Sequence, residues 1–122
     1  MSVLGDVLDA FAAEIGTSPP ALQDDRPAVF HFERSGRLFV EARDAQILVY
    51  LEYPEPVRDP RPLSGALAAC DPRRARGFPM RAGLSADDRL VMGVVVEEQA
   101  FTLPALHQII DQLMRAEGEI FA

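Results

Sequence analysis

The sequence predicts an α+β domain with the element order α-β-β-β-α-β-β-α, in which the N- and C-terminal helices pack on a twisted antiparallel sheet. Apolar residues recur at helical spacing near both ends of the chain, which is typical of amphipathic helices that cover a sheet. Between them, alternating apolar and polar residues are separated by very short turn sequences, and such connections require antiparallel neighbours. We expect residues 1–122 to fold as a single domain, because this length is ordinary for one unit.

The first helix is predicted from its apolar stripe and from signals at its two ends. Ser2 is a candidate N-cap. Gly16 is a candidate end residue, and the Pro19-Pro20 pair that follows prevents the helix from resuming. We expect the inward face to consist of Val3, Leu4, Val7, Leu8, Phe11 and Ile15.

The last helix shows the same kind of pattern. Thr102 is a candidate N-cap, and Pro104 is tolerated in the first turn because its missing N–H has no helical partner there. The buried stripe is expected to be Leu106, Ile109, Ile110, Leu113 and Met114, extended by Ile120.

Three strands are predicted at residues 28–33, 37–43 and 46–53. Because side chains alternate between the faces of a sheet, the strands present two different sets. The apolar set, expected to face the helices, is Phe30, Phe32, Leu38, Val40, Ile47, Val49 and Leu51. The opposite set mixes large apolar residues with charges, unlike a simply solvated face: Val29, His31, Glu33, Phe39, Glu41, Leu48, Tyr50 and Glu52.

The middle of the chain contains a proline-rich stretch, a short helix and two more strands. Residues 54–62 include four prolines, which favours a stiff, extended connection. Residues 63–70 are small and apolar and predict a short helix, and residues 80–84 predict a short strand. Residues 89–97 form the strongest strand pattern; because they are apolar on both faces, we expect both faces to be covered.

Composition excludes several classes of function. The formal net charge of -7 argues against a nucleic-acid partner, since affinity for the phosphate backbone requires clustered positive charge. The single cysteine, Cys70, fits a reducing compartment. Neither a signal-peptide pattern nor an apolar run of about 20 residues is present, so we expect no membrane insertion and a cytoplasmic location.

The candidate chemical groups do not form a catalytic or metal-binding pattern. His31 and Glu33 share a strand face and could act as base and orienter, but a solvated surface pair is the simpler interpretation, as it is for His107. Cys70 could be activated by nearby arginines, or it could be a small packed residue. The acidic pairs at 24–25, 87–88 and 97–98 lack the spacing of a calcium loop. The sequence therefore predicts no catalytic, cofactor or metal residues, and the excess of apolar surface predicts a partner-binding module.

The C-terminal third carries a family resemblance. The residues that carry it are Pro79-Met80-Arg81-Ala82-Gly83, Arg89-Leu90-Val91, the run Thr102-Leu103-Pro104-Ala105-Leu106-His107-Gln108, and then Gln112-Leu113 and Arg115. With them, the chain resembles the class I type III secretion chaperones (CesT/SycE-like fold), most of all the SycN-type gatekeeper chaperones. The resemblance is close over residues 78–122 and architectural elsewhere.

The resemblance implies a non-enzymatic, dimeric chaperone of a bacterial secretion system. Its expected partners are a YscB-like class I chaperone, as heterodimer partner in preference to a homodimer, and the N-terminal region of a YopN-like gatekeeper as substrate. A peripheral association with the secretion apparatus is compatible with this role. The dimer interface is implied at Leu63, Leu67, Cys70 and Met80.

The substrate-binding patch is predicted at Val29, Phe39, Leu48 and Tyr50; the same residues also suit dimer contact or ordinary half-buried packing. Two other functions stay open at this point. One is a chaperone-like regulator that sequesters an activator or anti-activator of the secretion system. The other is a small-molecule binder or enzyme, which would need an enclosed polar pocket.

Overall fold

The computed structural model describes residues 3–20, 26–74 and 77–121. Ser2, the predicted cap of the first helix, lies outside the described residues. The element order confirms the predicted fold class. The elements are α1 (Val3–Ile15), β1 (Ala28–Phe32), β2 (Gly36–Arg43), β3 (Gln46–Pro56), α2 (Pro60–Ala69), β4 (Met80–Leu84), β5 (Arg89–Glu97), a single 3-10 turn (Glu98–Ala100) and α3 (Leu103–Ile120).

The strands form one five-stranded antiparallel sheet in the order β1-β2-β3-β5-β4. β5 therefore lies between β3 and β4, although it follows both in sequence. The edges of the sheet are β1 and β4. This placement puts the most apolar strand inside the sheet, where both of its backbone edges are hydrogen-bonded.

The apolar set predicted to face the helices does so. Phe30 packs against Phe11 of α1 with ring centroids 5.1 Å apart in an edge-to-face arrangement. Of this set, Phe32 is half-buried and the others are buried. The same core takes in the α3 stripe, in which Met114 and Ile120 are half-buried. We call this the inner face of the sheet.

Both long helices show the predicted end signals. Gly16 follows α1 with φ +74°, the left-handed conformation that glycine adopts without strain. The Thr102 side chain accepts a hydrogen bond from the backbone N–H of Ala105 at 3.2 Å and so caps α3. The predicted α1 stripe is wrong at its ends, because Val3 and Ile15 are 51% and 44% exposed; they lie at the two ends of the helix, beyond the residues that the core covers.

The proline-rich stretch differs from the prediction of one extended connection. β3 continues to Pro56, with a register irregularity in its pairing to β5 after Glu52, a place where a sheet tolerates proline. α2 begins at Pro60, three residues earlier than expected. Asp59 caps it by accepting a hydrogen bond from the N–H of Arg61 at 2.9 Å. The prolines are accommodated because the first-turn positions of a helix need no N–H donor.

The helices among the described residues cover only one face of β5, whereas its apolar pattern predicts cover on both. Its inner residues, such as Met92 and Val94, are buried, whereas Val91 and Val95 on the opposite face are only half-buried. The helices supply cover on the inner face alone. Across the described part of the chain, none of the helices is both long enough and apolar enough to cross a membrane.

Candidate functional site

The sheet surface opposite the helices is the candidate site, and we call it the outer face. Val29, Phe39, Leu48 and Tyr50, the predicted substrate patch, all lie on it and are all half-buried. Strand order brings in Val91 and Val95 of β5, which are also half-buried. A band of half-buried apolar side chains therefore crosses the sheet, and none of the helices among the described residues covers it.

The register of the strands builds a row across the middle of this face. Val29 pairs with Phe39, Phe39 with Tyr50, Tyr50 with Gly93, and Gly93 with Arg81. The rings of Phe39 and Tyr50 are stacked, with centroids 4.9 Å apart and an interplanar angle of 7°. Such offset or stacked pairs contribute about 0.5–1.5 kcal/mol beyond their buried area.

Gly93 makes room for this row. A Cβ atom at this position would lie 2.9 Å from the Cβ of Tyr50 and 3.2 Å from the carbonyl oxygen of Val49. A glycine inside a strand often marks a place where another group approaches the backbone closely. Here the approaching group is Tyr50.

Beside Tyr50 the outer face dips into an open apolar depression of about 340 Å³. β3 and β5 supply its apolar side chains. Gly83 and Gly93, which have no side chains, leave space within it. The residues that line the depression on the outer face include Leu48, Tyr50, Arg81, Gly83, Val91 and Val95. This volume is at the lower end of the roughly 300–1,000 Å³ of small-ligand sites, and the depression is open, so it suits protruding side chains of a partner.

One end of the outer face carries a charge network around one buried carboxylate. Glu52 is only 9% exposed. Its Oε1 accepts a hydrogen bond from Nε of Arg37 at 3.0 Å and lies 3.7 Å from Nη1 of Arg89. The Arg37 guanidinium also lies 5.3 Å from the centre of the Phe39 ring. Two arginines thus compensate one buried carboxylate, which would otherwise be costly to desolvate.

Tyr50 stays neutral over the working pH range. Burial raises the pKa of its phenol, and the neighbouring carboxylate of Glu41 raises it further. The ring and its neutral hydroxyl can therefore contact a partner without carrying charge.

The residues implied for the dimer interface lie on and near α2, away from the outer face. Leu67 is 60% exposed, whereas Leu63, Cys70 and Met80 are partly buried against the core. Met80 also lines a groove of about 540 Å³ between α2, α3 and β4, where Gly65 allows Ile120 to approach. The four residues are therefore placed around one side of the domain, with Leu67 as the protruding member.

A glutamine of α3 fixes the chain as it enters β4. The backbone N–H of Phe78 donates to Oε1 of Gln112 at 3.0 Å, and Nε2 of Gln112 donates to the Phe78 carbonyl at 2.6 Å. This reciprocal pair holds the start of the edge strand against the helix. Gln112 was part of the family resemblance, but its role could not be read from the sequence.

The candidate chemical groups are dispersed. His31 is exposed at the end of β1 and pairs in register with Arg37. Burial raises the pKa of the Cys70 thiol, contrary to activation by arginine. His107 is exposed, as the sequence predicted. Its Nε2 lies 2.6 Å from a carboxylate oxygen of Glu14, because α1 and α3 pack side by side. Among residues 3–20, 26–74 and 77–121, no group of three or more His, Cys, Asp or Glu is arranged to hold a metal ion.

Sequence reasoning missed Arg81, Gly93 and the β5 residues of the outer face. The available signals were a glycine interrupting the strongest strand, which suggests a close approach, and the apolar alternate residues of that strand. What the sequence could not supply was the position of β5 next to β3, which brings these residues together.

Solved structures with the same fold come from protein complexes, and one of them contains a type III secretion chaperone. One is a chain from the crystal structure of the Yersinia pestis type III secretion chaperone SycH in complex with a stable fragment of YscM2, with a TM-score of 0.70, 13% identity, and coverage of 93% of this chain and 97% of that one. Another is from the ExsC-ExsE complex, with a TM-score of 0.74, 15% identity, and coverage of 96% and 92%. The fold is that of the class I type III secretion chaperones.

The particular family follows from the sequence. The model of the family described as type III secretory system chaperone SycN matches residues 4–121, and the chain belongs to that family. The chaperone protein SycN of Yersinia enterocolitica is 37% identical over 57 residues, which are 47% of this chain and 46% of the relative. SycN of Yersinia pseudotuberculosis matches to the same extent. The aligned stretch thus spans about half the length of these curated relatives.

Proposed function

We propose that this protein is a type III secretion chaperone subunit that works without catalysis. With a second class I chaperone of the YscB-like type, it binds the N-terminal region of a YopN-like gatekeeper and supports its secretion and the control of export. The proposal places this work in the bacterial cytoplasm or at the periphery of the secretion apparatus. The observation that carries it is the uncovered apolar band of the outer face in a chain that belongs to the SycN family.

The energetics of an extended substrate favour such a band over one deep pocket. Ordering each backbone residue costs about 1–2 kcal/mol, whereas burying a large apolar side chain returns about 1.5–3 kcal/mol. An extended segment must therefore bury an apolar side chain every residue or two, or pair with a sheet edge. Val29, Phe39, Leu48 and Tyr50 offer separate contacts along one surface, as this requires.

The side of the domain that carries α2 is proposed as the dimer interface, with Leu63, Leu67, Cys70 and Met80 as contacts. The exposed Leu67 supports this, because its side chain is 60% exposed among the described residues. Related folds have been solved as chaperones with bound proteins, SycH with a YscM2 fragment and ExsC with ExsE. The use of two separate surfaces, one for the partner chaperone and one for the substrate, is compatible with such complexes.

The test is co-purification of the full chain with a YscB-like chaperone and with the N-terminal region of a YopN-like gatekeeper, followed by size-exclusion chromatography with light scattering. We expect a chaperone dimer and a ternary complex with the gatekeeper region. Leu67→Asp should weaken the dimer, while the exposed control Val3→Asp on α1 should not. If the chain forms no complex with either protein, the proposed function is wrong; binding of a small regulator of the secretion system in place of the gatekeeper would favour sequestration.

A further inference from the structure

The arginines of the outer face are not equally neutralised. Arg37 and Arg89 share Glu52, and Arg43 lies 3.5 Å from Glu41. Arg81, the fourth arginine that strand register places on this face, has no carboxylate within salt-bridge distance among the described residues. In a chain with net charge -7, it supplies an uncompensated positive charge beside an apolar surface.

Arg81 lies at the depression, so a partner segment that fills the depression also changes the surroundings of its guanidinium. It pairs in register with Gly93 and lines the depression together with Leu48, Tyr50 and Val91. It is exposed in the free chain, so water solvates its guanidinium there. A segment that places an apolar side chain in the depression removes part of that water.

We propose that Arg81 binds a carboxylate of the docked gatekeeper segment, next to an apolar side chain that fills the depression. Desolvating an unpaired charge is costly, and a charge-assisted hydrogen bond offsets that cost. A neutral or basic segment would leave the guanidinium uncompensated when it covers Leu48 and Tyr50. The preferred segment is therefore extended and carries an aspartate or glutamate close to a large apolar residue. This inference rests on the proposed function and specifies the substrate sequence that it reads.

The test compares the affinity of the chaperone complex for the YopN-like gatekeeper region between wild type, Arg81→Gln and Arg73→Gln. Arg73 is a matched control because it is exposed and already bound to Asp71 outside this face. We expect Arg81→Gln to weaken binding about tenfold, in keeping with the loss of one hydrogen bond between charged groups, and Arg73→Gln to leave it unchanged. The loss should shrink at high salt, where charge interactions are screened.

A second measurement identifies the carboxylate. Overlapping peptides of the gatekeeper region are titrated in their natural form and with each acidic residue changed to its amide. One amide form should bind wild type about tenfold less well and should bind Arg81→Gln with no further loss, which is the signature of a direct pair.

The possible failures are distinguishable. If wild type binds the gatekeeper region and Arg81→Gln binds it equally well, the arginine extends into solvent in the complex and only this inference is refuted. If both variants lose the same affinity, the effect is one of general charge and the inference is also wrong. If wild type binds no gatekeeper region, the proposed function fails and the inference fails with it.

Discussion

Replacing Gly93 with alanine tests whether the outer face is built as described. The new Cβ would lie 2.9 Å from the Cβ of Tyr50 and 3.2 Å from the carbonyl oxygen of Val49, whereas carbon atoms pack best at about 3.5–4.0 Å. The carbonyl belongs to β3 in the interior of the sheet and cannot withdraw without loosening its pairing with β5. The Cβ of Tyr50 is likewise fixed by the β3 backbone, so we expect β3 to shift locally and to disturb the stack of Tyr50 on Phe39.

Three contributions determine the size of the effect. Overpacking costs about 1–3 kcal/mol, and loss of the stacked ring pair costs about 0.5–1.5 kcal/mol. Removing a glycine from a strand interior returns about 0.5–1 kcal/mol. Because the first two overlap, we expect a net loss of about 1–2 kcal/mol in the free energy of unfolding, or about 4–8 °C in Tm for a domain of this size.

Urea denaturation followed by far-ultraviolet circular dichroism measures the stability, and the near-ultraviolet tyrosine signal reports the packing of the ring. Gly83→Ala is the matched control, because it lies on the same face in β4 and a Cβ there meets no atom within 4 Å. It should be neutral or slightly stabilising. If Gly93→Ala and Gly83→Ala have the same free energy of unfolding and the tyrosine signal of Gly93→Ala is unchanged, the close contact between Gly93 and Tyr50 is refuted.

Two further predictions concern α3. Gln112→Ala should lower the free energy of unfolding by about 1–3 kcal/mol, since both hydrogen bonds to the Phe78 backbone are lost, while the exposed control Gln108→Ala should change it by less than about 0.5 kcal/mol in denaturant titrations. Burial raises the pKa of Glu117, so its protonated form favours folding below the usual glutamate pKa, and this stabilisation disappears as pH rises through the raised pKa. Glu117→Gln should therefore have a higher Tm than wild type at neutral pH and the same Tm at acid pH; a difference that grows on acidification would contradict the sign.

Much of the fold could be predicted because local patterns decide it. Strict alternation assigned Leu38, Val40 and Val49 to the core and Phe39 to the opposite face, since a strand fixes side-chain direction with a period of two. The start of α2 could not be placed because the same proline that ends a strand also fits the first turn of a helix. The cap by Asp59, which decides the matter, depends on local geometry.

The sequence predicted which residues of the first three strands lie on the candidate site, but not the residues that the last two strands bring to it. Tyr50 could be assigned to the outer face from its own strand, but its contacts with Gly93 and the nearby Arg81 depend on β5 pairing with β3 over a long sequence separation. The ion pair of Glu52 with Arg89 of β5 has the same origin, whereas its pair with Arg37 lies within the β2–β3 hairpin. Periodicity gives the face of each strand, whereas the strand order that assembles a surface is set by the packing of the whole chain.

The central claim is that the outer face binds the substrate, and calorimetric titration of Leu48→Asp tests it most directly. The variant, paired with the YscB-like chaperone, is titrated with the YopN-like gatekeeper region alongside wild type and Val3→Asp, an exposed apolar residue of α1. Losing one buried apolar contact of about 1.5–3 kcal/mol predicts at least a tenfold weaker affinity for Leu48→Asp, with the dimer and the control unaffected. Loss of the dimer with unchanged gatekeeper affinity would contradict the claim and would move this face to the interface between chaperones.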